Sequence, residues 1–206
     1  MTKQIGLYGG SFDPIHLGHL SLAIEIKEAH ALDEVWFCPT PHNPHKTHGT
    51  LAHTQHRIDM LQCALEGMRG FHICEAEIGR SPPIYTLDTL RQLAAEETAK
   101  EVPAMFSLIL GDDAAHSFAK WHQPEEILKY ARMLVGRRII DDNDKGFEGS
   151  SVVVEALNKG LTPTRIMEIS STEVRLRLSK GLCCVHLLPR KVLDYIQAHD
   201  LYLVTK

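Results

Sequence analysis

The stretch Ile5-Gly-Leu-Tyr-Gly-Gly-Ser-Phe-Asp-Pro-Ile-His-Leu-Gly-His19 decides the fold. Its first four residues are a short apolar run ended by Gly9-Gly10, which reads as a buried strand. From His16 to Leu32 the apolar positions Leu17, Leu20, Ala23, Ile24 and Ala31 recur at helical spacing. A strand therefore passes through a glycine turn directly into a helix. Paired glycines allow close approach of backbone amides to a bulky anion. The pattern puts the helix start near Pro14, a residue suited to a first turn, with Asp13 as N-cap. His16 and His19 are three apart and share one face of that turn. Two imidazole N–H donors beside the positive end of a helix dipole make an anion site. Gly18 keeps the face open at a cost of about 1 kcal/mol relative to Ala. Such a pair could also begin a metal site, but that needs third and fourth ligands, and no nearby Cys or carboxylate pattern supplies them.

The alternation continues outward. Val35–Cys38 reads as a second strand cut off by Pro39 and Pro41, followed by a polar loop over Thr40–Thr54. A helix is expected over Arg57–Leu65, a third strand over Phe71–Cys74, a turn at Ser81-Pro-Pro83 and a helix over Leu87–Glu97. Met105–Leu110 is the most continuous apolar run, hence the central strand. Met133–Val135 follows as a fifth strand, 141–151 as a polar loop, Ile166–Ile169 as a sixth strand, then helices at about 172–179 and 189–199. Strands alternating with helices imply a doubly wound, mainly parallel α/β sheet of about six strands. Helices cover both faces, and a small helical portion ends a single domain spanning 1–206.

The chain has 206 residues, 44% hydrophobic and 23% charged, a globular balance that excludes disordered and fibrous classes. Lys plus Arg number 22 against 26 Asp plus Glu, so a broad phosphate-coating face for nucleic acid is not expected. No apolar run approaches the roughly 18 residues of a membrane span. The opening Met-Thr-Lys-Gln lacks the apolar core of a secretion signal. Five cysteines without a Cys-x-x-Cys pair suggest a reduced, cytoplasmic chain with no structural zinc.

A second anion element follows the sixth expected strand, in Ile169-Ser-Ser-Thr-Glu-Val-Arg-Leu-Arg177. Ser170-x-x-Glu173 is a capping box, which alone is a structural feature. The same design presents hydroxyls and amides at a helix start, with the Arg175 guanidinium one turn inside, suited to bidentate phosphate contact. Neither G-x-G-x-x-G nor a P-loop occurs, so both of those phosphate motifs are excluded.

Gly10-Ser-Phe-Asp-Pro-x-His16-x-Gly-His19 together with Ile169-Ser-Ser-Thr-x-Val-Arg175 resembles the nucleotidylyltransferase superfamily with its His-x-Gly-His signature. More narrowly, the chain resembles the bacterial nicotinate mononucleotide adenylyltransferases. That likeness runs through Pro44-His45-Lys46, Tyr85-Thr86, Gly111-x-Asp113, Trp121, Arg137-Arg138 and the tail Leu188-Pro…Tyr195-Ile…Leu201-Tyr202. It departs at Gly111-Asp112-Asp113, with two adjacent acids, and at Gly136-Arg-Arg-Ile in place of Arg-Arg-Pro-Gly.

The resemblance implies adenylyl transfer from ATP to nicotinate mononucleotide, giving deamido-NAD and pyrophosphate, a step of NAD biosynthesis. It implies His16 and His19 as catalytic residues at the α-phosphate. ATP would lie against Gly9, Gly10, Ser11, Phe12, His16, His19, Arg138, Ser171, Thr172 and Arg175. The acceptor would meet His45, Lys46, Tyr85, Thr86, Asp113 and Trp121. Asp112 is an alternative to Asp113, and Arg137 to Arg138. Trp121 would stack on the pyridine ring or serve as core, and Lys46 would clamp phosphate or remain solvated. Thr86 opens its helix and suits the ring carboxylate. Mg²⁺ would ride on the ATP phosphates without a protein metal site. The partners are then ATP and the mononucleotide, with no nucleic acid and no membrane, and with room for a homo-oligomer. Phosphopantetheine adenylyltransferases are shorter and lack the Trp121 and Tyr85-Thr86 marks. A cytidylyltransferase shares the His-pair turn. A sensor without turnover needs neither the second His nor Arg175.

Overall fold

The computed structural model describes residues 2–41, 52–98, 102–137, 146–165 and 167–203. Six strands, β1 (Lys3–Gly10), β2 (Glu34–Pro39), β3 (Phe71–Ile73), β4 (Ala104–Gly111), β5 (Ala131–Arg137) and β6 (Leu161–Pro163), form one sheet. Every neighbouring pair is parallel, and the order is β3-β2-β1-β4-β5-β6. Parallel neighbours need crossover connections, and helices supply them. They are α1 (Leu17–Ala29), α2 (Thr54–Leu65), α3 (Thr86–Thr98), α4 (Asp112–Ser117), α5 (Pro124–Ile127) and α6 (Ser151–Lys159). Two more, α7 (Ser171–Ser179) and α8 (Arg190–Ala198), follow the last strand.

Side chains alternate across each strand and so build two cores. Tyr8, Phe37, Ile109 and Leu134 point to one face, where α1, α2, α7 and α8 bury Ala23, Met60, Val174 and Val192. Leu7, Leu108, Leu110 and Val135 point to the other, where α3, α4, α5 and α6 contribute Leu87, Ala115, Ile127 and Leu157. The strand order reverses direction between β1 and β4. The crevice beyond the carboxyl ends of these two strands is where such a sheet receives ligands.

Most expected elements are present within a few residues, and the chief difference lies between 146 and 169. Ser151–Lys159 is a helix, its Ser150 hydroxyl accepting the Val153 N–H at 3.4 Å. The sixth strand is Leu161–Pro163, with Leu161 opposite Val135, and not Ile166–Ile169. A three-residue edge strand ending in proline offers almost no period to read. Residues 167–169 carry no regular structure, and Ile169 packs on the first core as the chain enters α7. The short α4 and α5 are likewise absent from the sequence expectation.

Candidate active site

The turn between β1 and α1 is clamped from three directions. Arg57 of α2 is fully buried, and its Nη1 donates to the carbonyls of Ser11 at 2.6 Å and Thr40 at 2.8 Å. Its Nη2 donates to Thr54 Oγ1 at 3.1 Å. Burial pulls the Arg57 guanidinium below its usual pKa, while Asp13 and Tyr202 oppose that pull. From α7, Arg175 Nη1 donates to the Asp13 carbonyl at 2.7 Å and Ser171 Oγ to the Pro14 carbonyl at 3.0 Å. From the C-terminal end, the Tyr202 hydroxyl donates to Asp13 Oδ1 at 2.7 Å. The same oxygen accepts the Ala52 N–H at 3.2 Å. Burial first, and then the Asp13 carboxylate, drive the Tyr202 phenol far above its ordinary value, so it remains a donor.

Asp13 is therefore an anchor and not the helix cap. The α1 N-cap is His16, three residues later than expected from Pro14. His16 Nδ1 accepts the His19 N–H at 3.3 Å, and His19 Nδ1 accepts the His16 N–H at 3.2 Å. The rings stack at 3.6 Å with 22° between their planes. A neutral imidazole has one N–H, and an Nδ1 that accepts leaves that proton on Nε2. Both residues thus present the same tautomer at the first turn of α1. A Cβ on Gly18 would lie 3.1 Å from His16 Nδ1, so glycine there makes room for the stacked ring.

Phe12 adopts a left-handed backbone (φ 46°) yet is 1% exposed. Its ring is fixed between Tyr8 at 5.5 Å and Phe37 at 5.4 Å, and meets the His19 ring at 5.2 Å. A Cβ on Gly10 would come within 2.9 Å of that ring. The Phe12 side chain is a core group that supports the His pair, so any contact of Phe12 with nucleotide falls to its backbone. Ser171 spends its hydroxyl on the Pro14 carbonyl, and Thr172 Oγ1 accepts from Arg175 Nη2 at 3.3 Å. Arg175 and the His pair nonetheless converge on one turn, since Arg175 grips the residue three before His16.

A cavity opens on the other side of the β1 end, in the crevice toward β4. Gly9 and Gly10 of β1, Gly111 and Ala114 of the β4–α4 junction, and Tyr85 and Thr86 at the start of α3 line it. Trp121 and His122 close it on the far side. Trp121 is half-buried, with one flank on the Phe118 ring at 5.4 Å, so it is both a core edge and a cavity wall. The Tyr85 and His122 rings stack at 4.0 Å across the mouth. Thr86 is the first residue of α3, where first-turn amides have no intrahelical acceptor. Asp113 is exposed and outside the cavity wall, whereas Asp112 lies half-buried with Oδ1 3.8 Å from His116 Nε2. Arg137 ends β5 with its guanidinium 5.6 Å above the Phe147 ring. His45, Lys46 and Arg138 lie outside the described residues.

Sequence reasoning missed Arg57, and missed the way Asp13 and Tyr202 meet, because these bonds join residues far apart in the chain. It also missed Cys38, Thr40 and Glu77 in the cavity wall. Only the position of Cys38 at the end of a strand and of Thr40 just beyond it could have drawn notice.

A family model described as cytidylyltransferase-like matches residues 7–177. A probable nicotinate-nucleotide adenylyltransferase of Salinibacter ruber is 38% identical over 201 residues, covering 96% of this chain and 97% of its own. One from Bacillus pumilus is 34% identical over 200 residues, covering 97% and 98%. The Plasmodium falciparum nicotinic acid mononucleotide adenylyltransferase, solved in complex with NaAD, superposes with a TM-score of 0.74 at 21% identity over 97% of both chains. The family model spans most of the chain and these relatives match it nearly end to end, so the chain belongs to the cytidylyltransferase-like family and, within it, to the nicotinate-nucleotide adenylyltransferases.

Proposed function

We propose that the protein transfers the adenylyl group of ATP to nicotinate mononucleotide, releasing pyrophosphate and forming nicotinate adenine dinucleotide. One observation carries this reading: two stacked imidazoles, each with Nδ1 accepting a backbone N–H, stand at the first turn of α1 beside a cavity at the sheet's switch point. Their Nε2–H groups are donors suited to an α-phosphate that gains charge. An oxygen of the acceptor's phosphate attacks the α-phosphorus, the bond to the β-phosphate breaks, and pyrophosphate leaves with that electron pair. The acceptor phosphate has a second pKa of about 6, so at neutral pH it is already a nucleophile. No side chain needs to form a covalent intermediate or remove a proton.

The protein's task is positioning and charge stabilisation. Mg²⁺ carried in with ATP would add positive charge at the phosphates, with no protein carboxylate needed to hold it. Arg175, Thr172 and the amides at the start of α7 hold the β- and γ-phosphates, and Arg138 adds positive charge beyond β5. Trp121 stacks on the pyridine ring, Thr86 receives the ring carboxylate, and His45 and Lys46 hold the acceptor's phosphate. Asp113 accepts from a ribose hydroxyl. The test is pyrophosphate release from ATP with nicotinate mononucleotide, nicotinamide mononucleotide and phosphopantetheine as acceptors. Release that is fastest with nicotinate mononucleotide supports the reading. Release with phosphopantetheine alone, or with none of the three, contradicts it.

A further inference from the structure

Among the described residues Arg57 is the largest fully buried side chain, and its hydrogen-bond partners are three neutral oxygens. Neutral partners repay the desolvation of a buried charge only in part, so packing alone does not account for it. Both hydrogens of Nη1 go to main-chain carbonyls, those of Ser11 and Thr40. Thr40 in turn donates its N–H to the Gly10 carbonyl at 2.9 Å. Two successive carbonyls of the glycine turn are thereby tied down by Thr40 and Arg57. The Ser11–Phe12 peptide is trans, and a planar trans amide points its N–H opposite its carbonyl. With the Ser11 carbonyl turned into the guanidinium, the Phe12 N–H faces away from Arg57, and no acceptor among the described residues takes it. The same bond sets the rotation at Phe12, whose φ of 46° is costly for an aromatic residue and lasts only where the surroundings impose it.

We infer that Arg57 is a positioning residue for ATP: by holding the Ser11 carbonyl it aims the Phe12 N–H at the triphosphate, as one more donor beside the His pair. This rests on the adenylyltransferase reading above and deepens its nucleotide side. Backbone amides at a glycine turn suit phosphate oxygens, and a donor already aimed needs no reorganisation when the nucleotide arrives. The guanidinium beneath the turn adds attraction for the same anion, with little solvent between to screen it. Being fully buried, Arg57 acts through the turn and not by contact with ligand. Thr54 at the start of α2 accepts from Nη2 at 3.1 Å and so sets the plane of the fork that grips the two carbonyls.

The experiment compares the wild type with Arg57→Lys, which keeps a positive charge but lacks the planar fork that spans both carbonyls. KM for ATP and for nicotinate mononucleotide is measured by pyrophosphate release, and Kd for a non-hydrolysable ATP analogue by calorimetry. Arg57→Lys is expected to raise KM for ATP and Kd for the analogue by about tenfold, the size of one lost charge-assisted hydrogen bond. KM for the mononucleotide is expected to stay near the wild-type value. A merely structural role would lower the folded fraction, and with it the apparent kcat, while leaving both KM values alone. Should Arg57→Lys fail to fold, Thr54→Val takes its place. It removes the oxygen that orients Nη2 and is expected to raise the same two constants several-fold. Unchanged KM for ATP and unchanged analogue Kd in the folded variant, or an equal rise in both KM values, overturns the proposal. Analogue binding that weakens as expected in an enzyme that turns over no acceptor overturns the adenylyltransferase reading instead, and upholds the role of Arg57 in nucleotide binding.

Discussion

The two sides of the β1 end are built on opposite plans. The Ser11–His19 turn is held by buried hydrogen bonds from α2, α7 and the C-terminal residues, and its Asp13 is 3% exposed. The cavity toward β4 has buried strand residues at its base and a rim of half-buried and exposed side chains, Tyr85, Thr86, Trp121 and His122. Preorganised donors contribute most where charge develops in the transition state. A binding pocket instead needs apolar walls with a few polar groups that set specificity. The rigid side therefore suits chemistry, and the open side suits acceptor choice.

The sharpest way to break this contrast is to remove one imidazole. His19→Ala is expected to lower kcat by about 10²-fold or more, with the folded structure retained by circular dichroism. Unchanged turnover would deprive the rigid side of its chemical role. Trp121→Ala should raise KM for nicotinate mononucleotide by roughly tenfold, the order of one lost aromatic stack, and leave KM for ATP nearly unaltered. An unfolded variant would instead assign Trp121 to the core.

Tyr202→Phe probes the clamp. Losing one hydrogen bond to a buried carboxylate costs about 1.5–3 kcal/mol, and each kcal/mol lowers Tm by roughly 2–4 °C in a chain of this size. A calorimetric Tm equal to that of the wild type would show that the clamp adds nothing. The smallest effect is expected of Thr86→Val, a several-fold loss of preference for nicotinate over nicotinamide mononucleotide. An unchanged ratio of specificity constants would move the carboxylate contact elsewhere.

The sequence discloses these two sides unequally. The His pair was legible because its spacing, its glycine and the helix start are local, within a few residues. Its cap geometry was not, since proline and Asp13 mimic a helix start while the buried bonds of Asp13 come from Arg175 and Tyr202, 162 and 189 residues away. Thr86 and Trp121 could be placed beyond strands, but Glu77 could not, because its partner Thr89 and its cavity exist only once α3 packs on the sheet. The strand order was implied by alternation. The position of β6 was hidden by its brevity, and a run of β-branched residues in Ser151-Val-Val-Val154 disguised α6.

Catalysis depends most on both Nε2–H groups meeting one α-phosphate, and a crystal structure with a non-hydrolysable ATP analogue tests that directly. It is expected to show α-phosphate oxygens within hydrogen-bond distance, about 2.7–3.2 Å, of Nε2 of both His16 and His19, with Arg175 on the terminal phosphates. A nucleotide bound with its α-phosphate away from both rings would contradict it.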